Sequence, residues 1–172
     1  MTKRKAPALR TAVRRDARRI HELIQEHAQE GHLLPRELSE LTVHADRFVV
    51  AVDGRGSIVA CGELAPLSHS LAEIRSLVVS GKRRGAGVGR SVVDELRRRA
   101  RIDGYDDLCV FAHQPAYFAH MGFSIVPHTW LPEKISANCG TCELFRHCGQ
   151  YAMVASMEPI RDNRSAEQSF HV

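Results

Sequence analysis

The run from Glu73 to Arg90, Glu-Ile-Arg-Ser-Leu-Val-Val-Ser-Gly-Lys-Arg-Arg-Gly-Ala-Gly-Val-Gly-Arg, limits what this chain can fold into more than any other stretch. Its first part, Ile74 to Val79, is mostly apolar and β-branched, which predicts a strand. Glycines at 85, 87 and 89 predict a turn, and Val88, Val92, Val93 and Leu96 then recur at helical spacing. Strand, glycine turn and helix start in that order point several orphan backbone N–H groups at one place, beside the positive end of the helix dipole. That is a phosphate-binding geometry, and glycine suits it because a Cβ would keep a ligand away from the backbone. An ordinary glycine-rich surface turn is the competing reading.

Two familiar glycine loops do not fit. A P-loop needs Lys-Ser/Thr directly after its last glycine, whereas Gly89 is followed by Arg90 and Ser91. The dinucleotide fingerprint Gly-x-Gly-x-x-Gly is not matched either, since the spacing here is Gly-x-Gly-x-Gly.

Composition narrows the class. A chain of 172 residues, 44% hydrophobic and 26% charged, has the size and balance of one globular domain. No apolar run approaches the roughly 18 residues of a membrane span. The start, Met-Thr-Lys-Arg-Lys-Ala-Pro, lacks the apolar segment of a secretory signal, so a cytoplasmic protein is expected. The net charge of +4 and pI near 9.0 are spread over several helix faces, and aromatic residues total 6%. Neither feature favours nucleic acid as a partner.

In chain order, residues 1–7 read as a disordered basic tail and Leu9 to Val13 as a short strand. Residues 16–29 read as an amphipathic helix that starts at Asp16 and ends at Gly31. Pro35 blocks a helix in the loop 32–36, and 37–45 predicts a short helix. Two hairpin strands, 48–53 and 57–65, lead to the central strand 71–79. The helix after the glycine turn closes at Gly104, and a strand follows at 108–112. A short helix runs from Pro115 to Gly122, and strands at 123–126 and 151–157 flank a Pro- and Cys-containing loop over 127–149. Residues 158–172 read as a second disordered tail. The order predicts one α/β domain over residues 8–157, a mixed, mostly antiparallel sheet flanked by helices.

Arg-x-x-Gly-x-Gly, Arg84 to Gly89, after an apolar strand resembles the acetyl-CoA pyrophosphate loop of the GNAT N-acetyltransferases, and the element order resembles that of their fold. A narrower set, Leu33-Leu-Pro-Arg-Glu-Leu, Leu71-Ala-Glu-Ile-Arg-Ser-Leu-Val-Val, Pro115-x-x-Phe-x-x-x-Gly-Phe and Leu131-Pro-Glu-Lys followed by Cys-x-x-Cys-x5-Cys, is similar to short single-domain amino-acid N-acetyltransferases of the N-acetylglutamate synthase type. The resemblance implies acetyl transfer from acetyl-CoA to the α-amine of L-glutamate, in arginine biosynthesis, by direct attack in a ternary complex. Another amine (glutamine, a different amino acid or a protein N-terminus) and a non-catalytic acetyl-CoA- or metal-binding module are the alternatives, and a homodimer is left open.

Amine attack on a thioester needs a proton acceptor, because an α-amine is mostly protonated at neutral pH. Glu73 is the candidate base by resemblance, against the reading of a carboxylate at a strand end. The resemblance also assigns Leu77, Val78 and Val79 to the pantetheine arm, which their backbone groups meet as an added strand would. It assigns Arg84, Gly85, Ala86, Gly87, Val88, Gly89 and Arg90 to the pyrophosphate. Arg36, Arg75, Ser76 and His113 are candidates for the acceptor, a guanidinium being suited to bidentate carboxylate binding. Strand alternation predicts that Ser76 faces away from Arg75. Many of these enzymes protonate the departing thiolate with a tyrosine of the short helix. That position is Phe118 here, with Tyr117 before it, so the general acid is unassigned.

Five cysteines in a chain without an export signal argue for thiols rather than disulfides. Cys139-x2-Cys142-x5-Cys148 has one spacing suited to a metal, with His147 or His128 as a fourth ligand, and a set of reduced structural thiols is the alternative. Cys109 falls in an apolar strand and reads as core.

Overall fold

A computed structural model describes residues 6–29 and 33–157. The two tails, apart from Ala6 and Pro7, and the helix stop predicted at Gly31 lie outside the described residues. Seven strands form one sheet in the order β1-β2-β3-β4-β5-β7-β6. They are β1 (Ala8–Thr11), β2 (Phe48–Val52), β3 (Ile58–Pro66), β4 (Leu71–Val79), β5 (Asp107–Ala112), β6 (Ser124–Val126) and β7 (Tyr151–Ser156). All neighbours are antiparallel except β4 and β5. The helices are α1 (Ala17–Ala28), α2 (Leu38–Val43), α3 (Val88–Ile102), α4 (Pro115–Ala119) and α5 (Pro132–Lys134), the last running on into a wider π turn, Ile135–Cys139. The predicted fold class holds.

Each face of the sheet takes one long helix. On one face Val92, Val93, Leu96 and Ala100 of α3 are fully buried against Val49, Ala51, Ile74 and Leu108. On the other, Ile20, Leu23 and Ile24 of α1 are fully buried against Phe48, Val50, Cys61 and Val78. Burying each of these large side chains stabilises the fold by about 1.5–3 kcal/mol. Asp16 stands at the start of α1, but its carboxylate does not cap that helix. It holds Arg10 at 2.6 and 3.0 Å and the Val13 N–H at 2.8 Å, tying β1 to the helix.

Two irregularities of β4 shape the centre of the molecule. The β3–β4 register moves from Cys61↔Val78 to Glu63↔Arg75, so that Ser76 and Leu77 together oppose Gly62. This is a β-bulge, and Ser76 takes a left-handed conformation there, with φ of 51°. Gly62 on the partner strand lets α3 pack close, since a Cβ there would lie a tight 3.0 Å from both Leu96 and Val92. The second irregularity is a parting of strands. The β4–β5 pairing ends at Glu73↔Cys109, while β4 continues to Val79 and β5 to Ala112. Beyond Glu73, no strand pairs with the β5-facing edge of β4 among the described residues.

Candidate functional site

The parted strands open a cavity of about 960 Å³. Its walls include Arg36, Glu73, Arg75, Ser76, Leu77, Val78, Val79, Arg84, Gly85, Gly87, Val88, Gly89, Arg90 and His113. Thirteen of these fourteen were predicted at one end or the other of the site, and Glu73 as the base between them. Ala86 of the predicted loop is not on the wall.

At one end lies the glycine loop. Gly85 and Gly87 both have φ of 76°, a conformation that side chains with a Cβ rarely adopt. They turn the chain so that α3 starts facing the cavity. The first helical hydrogen bond there runs from the Ser91 N–H to the Gly87 carbonyl at 3.0 Å, so the N–H groups of Val88, Gly89 and Arg90 precede it. Arg83 pairs with Asp53 at 3.5 Å and holds the loop to the β2–β3 turn. The Tyr117 hydroxyl stands over the helix mouth, where a Cβ on Gly89 would come within 2.6 Å of it. Burial raises the Tyr117 pKa above that of an ordinary tyrosine, with Asp94 adding to the shift and Arg90 opposing it. It remains a neutral phenol at physiological pH.

At the vertex of the parted strands is Glu73, 3% exposed. Both its oxygens lie 2.8 Å from Lys134 Nζ. Lys134, from α5, also reaches Asn138 Oδ1 at 3.2 Å and lies 5.2 Å from the centre of the Phe111 ring. A carboxylate has about four lone-pair positions, so this pairing leaves acceptor capacity on Glu73. The sequence predicts a plain loop over 127–149, and Lys134 received no role from it. Pro132 at the start of α5 was the available signal for a helix there.

At the other end four charged groups interlock. Glu63, wholly buried, accepts from Arg36 at 2.9 Å and from Arg75 at 2.8 and 3.2 Å. Arg36 also donates to Glu40 at 2.6 and 3.1 Å and to Ser76 Oγ at 2.8 Å. Burial works against the Arg36 charge, but Glu40 and Glu63 outweigh it and raise its pKa. Arg36 lowers the pKa of Glu40. Ser76 therefore lies on the same side as Arg75, contrary to strand alternation. The bulge adds one residue and reverses the facing, so that Leu77 and Val79 pack towards α3 while Val78 packs towards α1. Glu40 and Glu63 carried no role in the sequence reading. A single carboxylate inside the apolar strand 58–65 was the signal for Glu63, since a charge there is buried only if paired.

His113 lies on the wall with its ring 3.6 Å from where a Cβ on Gly149 would sit. Cys142 is on the wall, Cys148 is exposed, and all five cysteines are free. Among the described residues no group of three or more His, Cys, Asp or Glu is placed to hold a metal.

Comparison with known proteins agrees with this geometry. The acetyltransferase (GNAT) domain model matches residues 44–125. An N-acetyltransferase of Chlorobaculum tepidum is 31% identical over 155 residues, covering 88% of this chain and 99% of its own. An amino-acid acetyltransferase of Mycobacterium tuberculosis is 32% identical over 125 residues, covering 72% of this chain and 71% of its own. Among solved structures, N-acetylglutamate synthase from Neisseria gonorrhoeae with coenzyme A and N-acetyl-glutamate superposes with a TM-score of 0.80 at 23% identity, over 91% of this chain and 36% of that one. A Mycobacterium tuberculosis protein in complex with CoA superposes with a TM-score of 0.76 at 26% identity, over 88% and 100%. The fold is of mixed α/β class, and the chain belongs to the GNAT acetyltransferase family. It is an N-acetyltransferase by family, and the two superposed structures hold coenzyme A.

Proposed function

We propose that this enzyme acetylates the α-amine of an amino acid, with L-glutamate the first candidate and L-glutamine the second. The observation that carries the proposal is the placing of one buried carboxylate, Glu73, between a helix mouth suited to a diphosphate and a pair of arginines suited to a carboxylate, within one cavity. Relatives named amino-acid acetyltransferase support the acceptor class. The chain spans 27% of the length of the Pseudomonas putida enzyme of that name and 71% of the Mycobacterium tuberculosis one. A place in arginine biosynthesis and in the cytoplasm follows from the same reading. No described helix is long and apolar enough to cross a membrane.

In this reading the diphosphate of acetyl-CoA takes the N–H groups of residues 84–90, and its pantetheine arm lies along the unpaired edge of β4 at Leu77, Val78 and Val79. The acceptor carboxylate turns towards Arg36 and Arg75. Glu73 takes a proton from the ammonium, directly or through one water, and the freed amine attacks the thioester carbonyl. The C–N bond forms, the C–S bond breaks, and the thiolate of CoA leaves to take up a proton. Lys134 keeps the Glu73 carboxylate compensated and aimed at the vertex. His113 lines the acceptor end, and Tyr117, at the helix mouth, is placed on the cofactor side rather than at the reacting centre.

Purified protein supplied with acetyl-CoA and a panel of amino acids, with release of CoA thiol as readout, tests the proposal. Preference for glutamate or glutamine supports it. Equal turnover of unrelated amines, or none, defeats it.

A further inference from the structure

Two cations, Arg36 and Arg75, stand at the acceptor end with Glu40 and Glu63 on them, and a third, Lys134, is paired with Glu73 at the vertex. Every guanidinium nitrogen of Arg36 has a partner: Nε and Nη2 go to Glu40, and Nη1 goes to Glu63 and Ser76. The side-on fork of Arg36, Nε with Nη2, therefore becomes available to an acceptor carboxylate only when Glu40 leaves it. The three residents differ in how they can respond. Glu63 is wholly buried and Glu73 is 3% exposed, so moving either strips a charge of its partners inside the protein. The Glu40 side chain is 39% exposed, on the short helix α2, and can turn into water.

We propose that Glu40 is a displaceable substitute for the acceptor's carboxylate, holding Arg36 and Arg75 until an acceptor replaces it. This rests on the acceptor reading given above. The exchange swaps one carboxylate for another, so the arginines are never left buried without a counter-charge. Two properties follow. The enzyme discriminates against amines that bring no carboxylate, because they cannot offset the lost Glu40 contacts. Return of Glu40 also helps expel the acetylated product, which still carries its carboxylate. The geometry of the Arg36 contacts, two nitrogens to two oxygens at 3.1 and 2.6 Å, is the bidentate pattern a free amino acid would reproduce.

Steady-state kinetics of Glu40→Gln against wild type, with L-glutamate, L-glutamine and L-glutaminamide as acceptors, test this. The amide keeps the shape of Glu40 but binds the arginines less strongly. We expect KM for the two carboxylate-bearing acceptors to fall about fivefold, equivalent to about 1 kcal/mol. The inhibition constant of the acetylated product should fall by the same factor, kcat should not rise, and KM for glutaminamide should not move. Glu40→Asp, too short to span both nitrogens, should shift KM the same way. Glu37→Gln, the same charge change on an exposed neighbour, should leave all constants unchanged. If wild type turns over glutamate or glutamine and Glu40→Gln leaves KM unchanged or raises it, the displacement is wrong while the acceptor reading stands. If wild type acetylates neither, or prefers glutaminamide, the acceptor reading falls and Glu40 loses its role with it.

Discussion

Lys134 Nζ sits 2.8 Å from both carboxylate oxygens of Glu73, at the point where β4 and β5 part. The side chains are 13% and 3% exposed, so each is the other's compensation in a site largely shut off from water. Breaking one half of such a pair costs about 3–5 kcal/mol, because the remaining charge stays buried. Lys134→Met should therefore lower the unfolding free energy by about that amount, measured by urea denaturation. The double variant Lys134→Met with Glu73→Leu should recover much of the stability and none of the activity. Glu73→Gln alone should reduce kcat by about 100-fold or more while CoA affinity is retained. Retained activity in that variant removes Glu73 as the base.

The Tyr117 hydroxyl makes a test of the helix mouth possible. Gly89→Ala places a methyl where it would lie 2.6 Å from that oxygen and 3.2 Å from Val79, so the tyrosine has to move. The substitution adds a good helix former, and folding stability should change little. Affinity for CoA, measured by calorimetry, should fall about tenfold because the new Cβ and the displaced ring crowd the amides. Unchanged affinity would mean that the cofactor does not approach this turn.

Glu63 serves structure as well as the site. Glu63→Gln leaves Arg36 and Arg75 sharing an amide in place of a buried anion. A loss of about 3 kcal/mol in stability and a rise in KM for the acceptor are expected together. Thermal unfolding and kinetics on one preparation check both.

The pH dependence of stability should show Asp16. Arg10 holds its carboxylate below the usual aspartate pKa, overcoming burial, and the Val13 N–H adds to the effect. A depressed pKa contributes stability above the unfolded value of about 3.9, and the contribution fades as pH falls through the lower native value. Asp16→Asn should cost about 2 kcal/mol at neutral pH. The gap to wild type should close progressively in acid below about pH 4. A gap constant down to pH 2 would contradict this.

The thiols should react in order of exposure. Burial pushes the Cys61 thiol up to about 12 and also raises Cys109, with Glu73 adding to the latter shift. Burial also raises Cys139, and Cys148 is exposed. Iodoacetamide at mildly alkaline pH should label Cys148 first and spare Cys61 and Cys109 until the protein unfolds, as read by peptide mass mapping.

Much of this molecule can be read in its residues. The central strand was predicted at 71–79 and is found there, because an apolar β-branched run between Ser-rich and Gly-rich turns has few other fates. The glycine turn and the helix after it follow from the same local chemistry, as do the amphipathic faces of α1 and α3. Arg36, Glu73, Arg75 and Ser76 were also chosen from sequence, and the fold brings all four onto one cavity wall. The strand, the turn and the helix faces depend on neighbours within a few residues, and local sequence encodes them directly, whereas Arg36 and Glu73 were chosen through the family resemblance.

The pairing of charges was decided in three dimensions. Glu73 meets a lysine 61 positions away, and Arg36 meets a glutamate 27 positions away. No periodicity links such residues, since chain reversals between strands set their separation. The bulge at Ser76 shows the same limit on a smaller scale: one extra residue on β4 opposite Gly62 turns Ser76 towards Arg36, against the alternation its own strand predicts. Local propensity therefore specifies the elements and the loop that faces the cofactor. Register and long-range ion pairing specify which charges are neutralised, and so which of them an incoming acceptor has to displace.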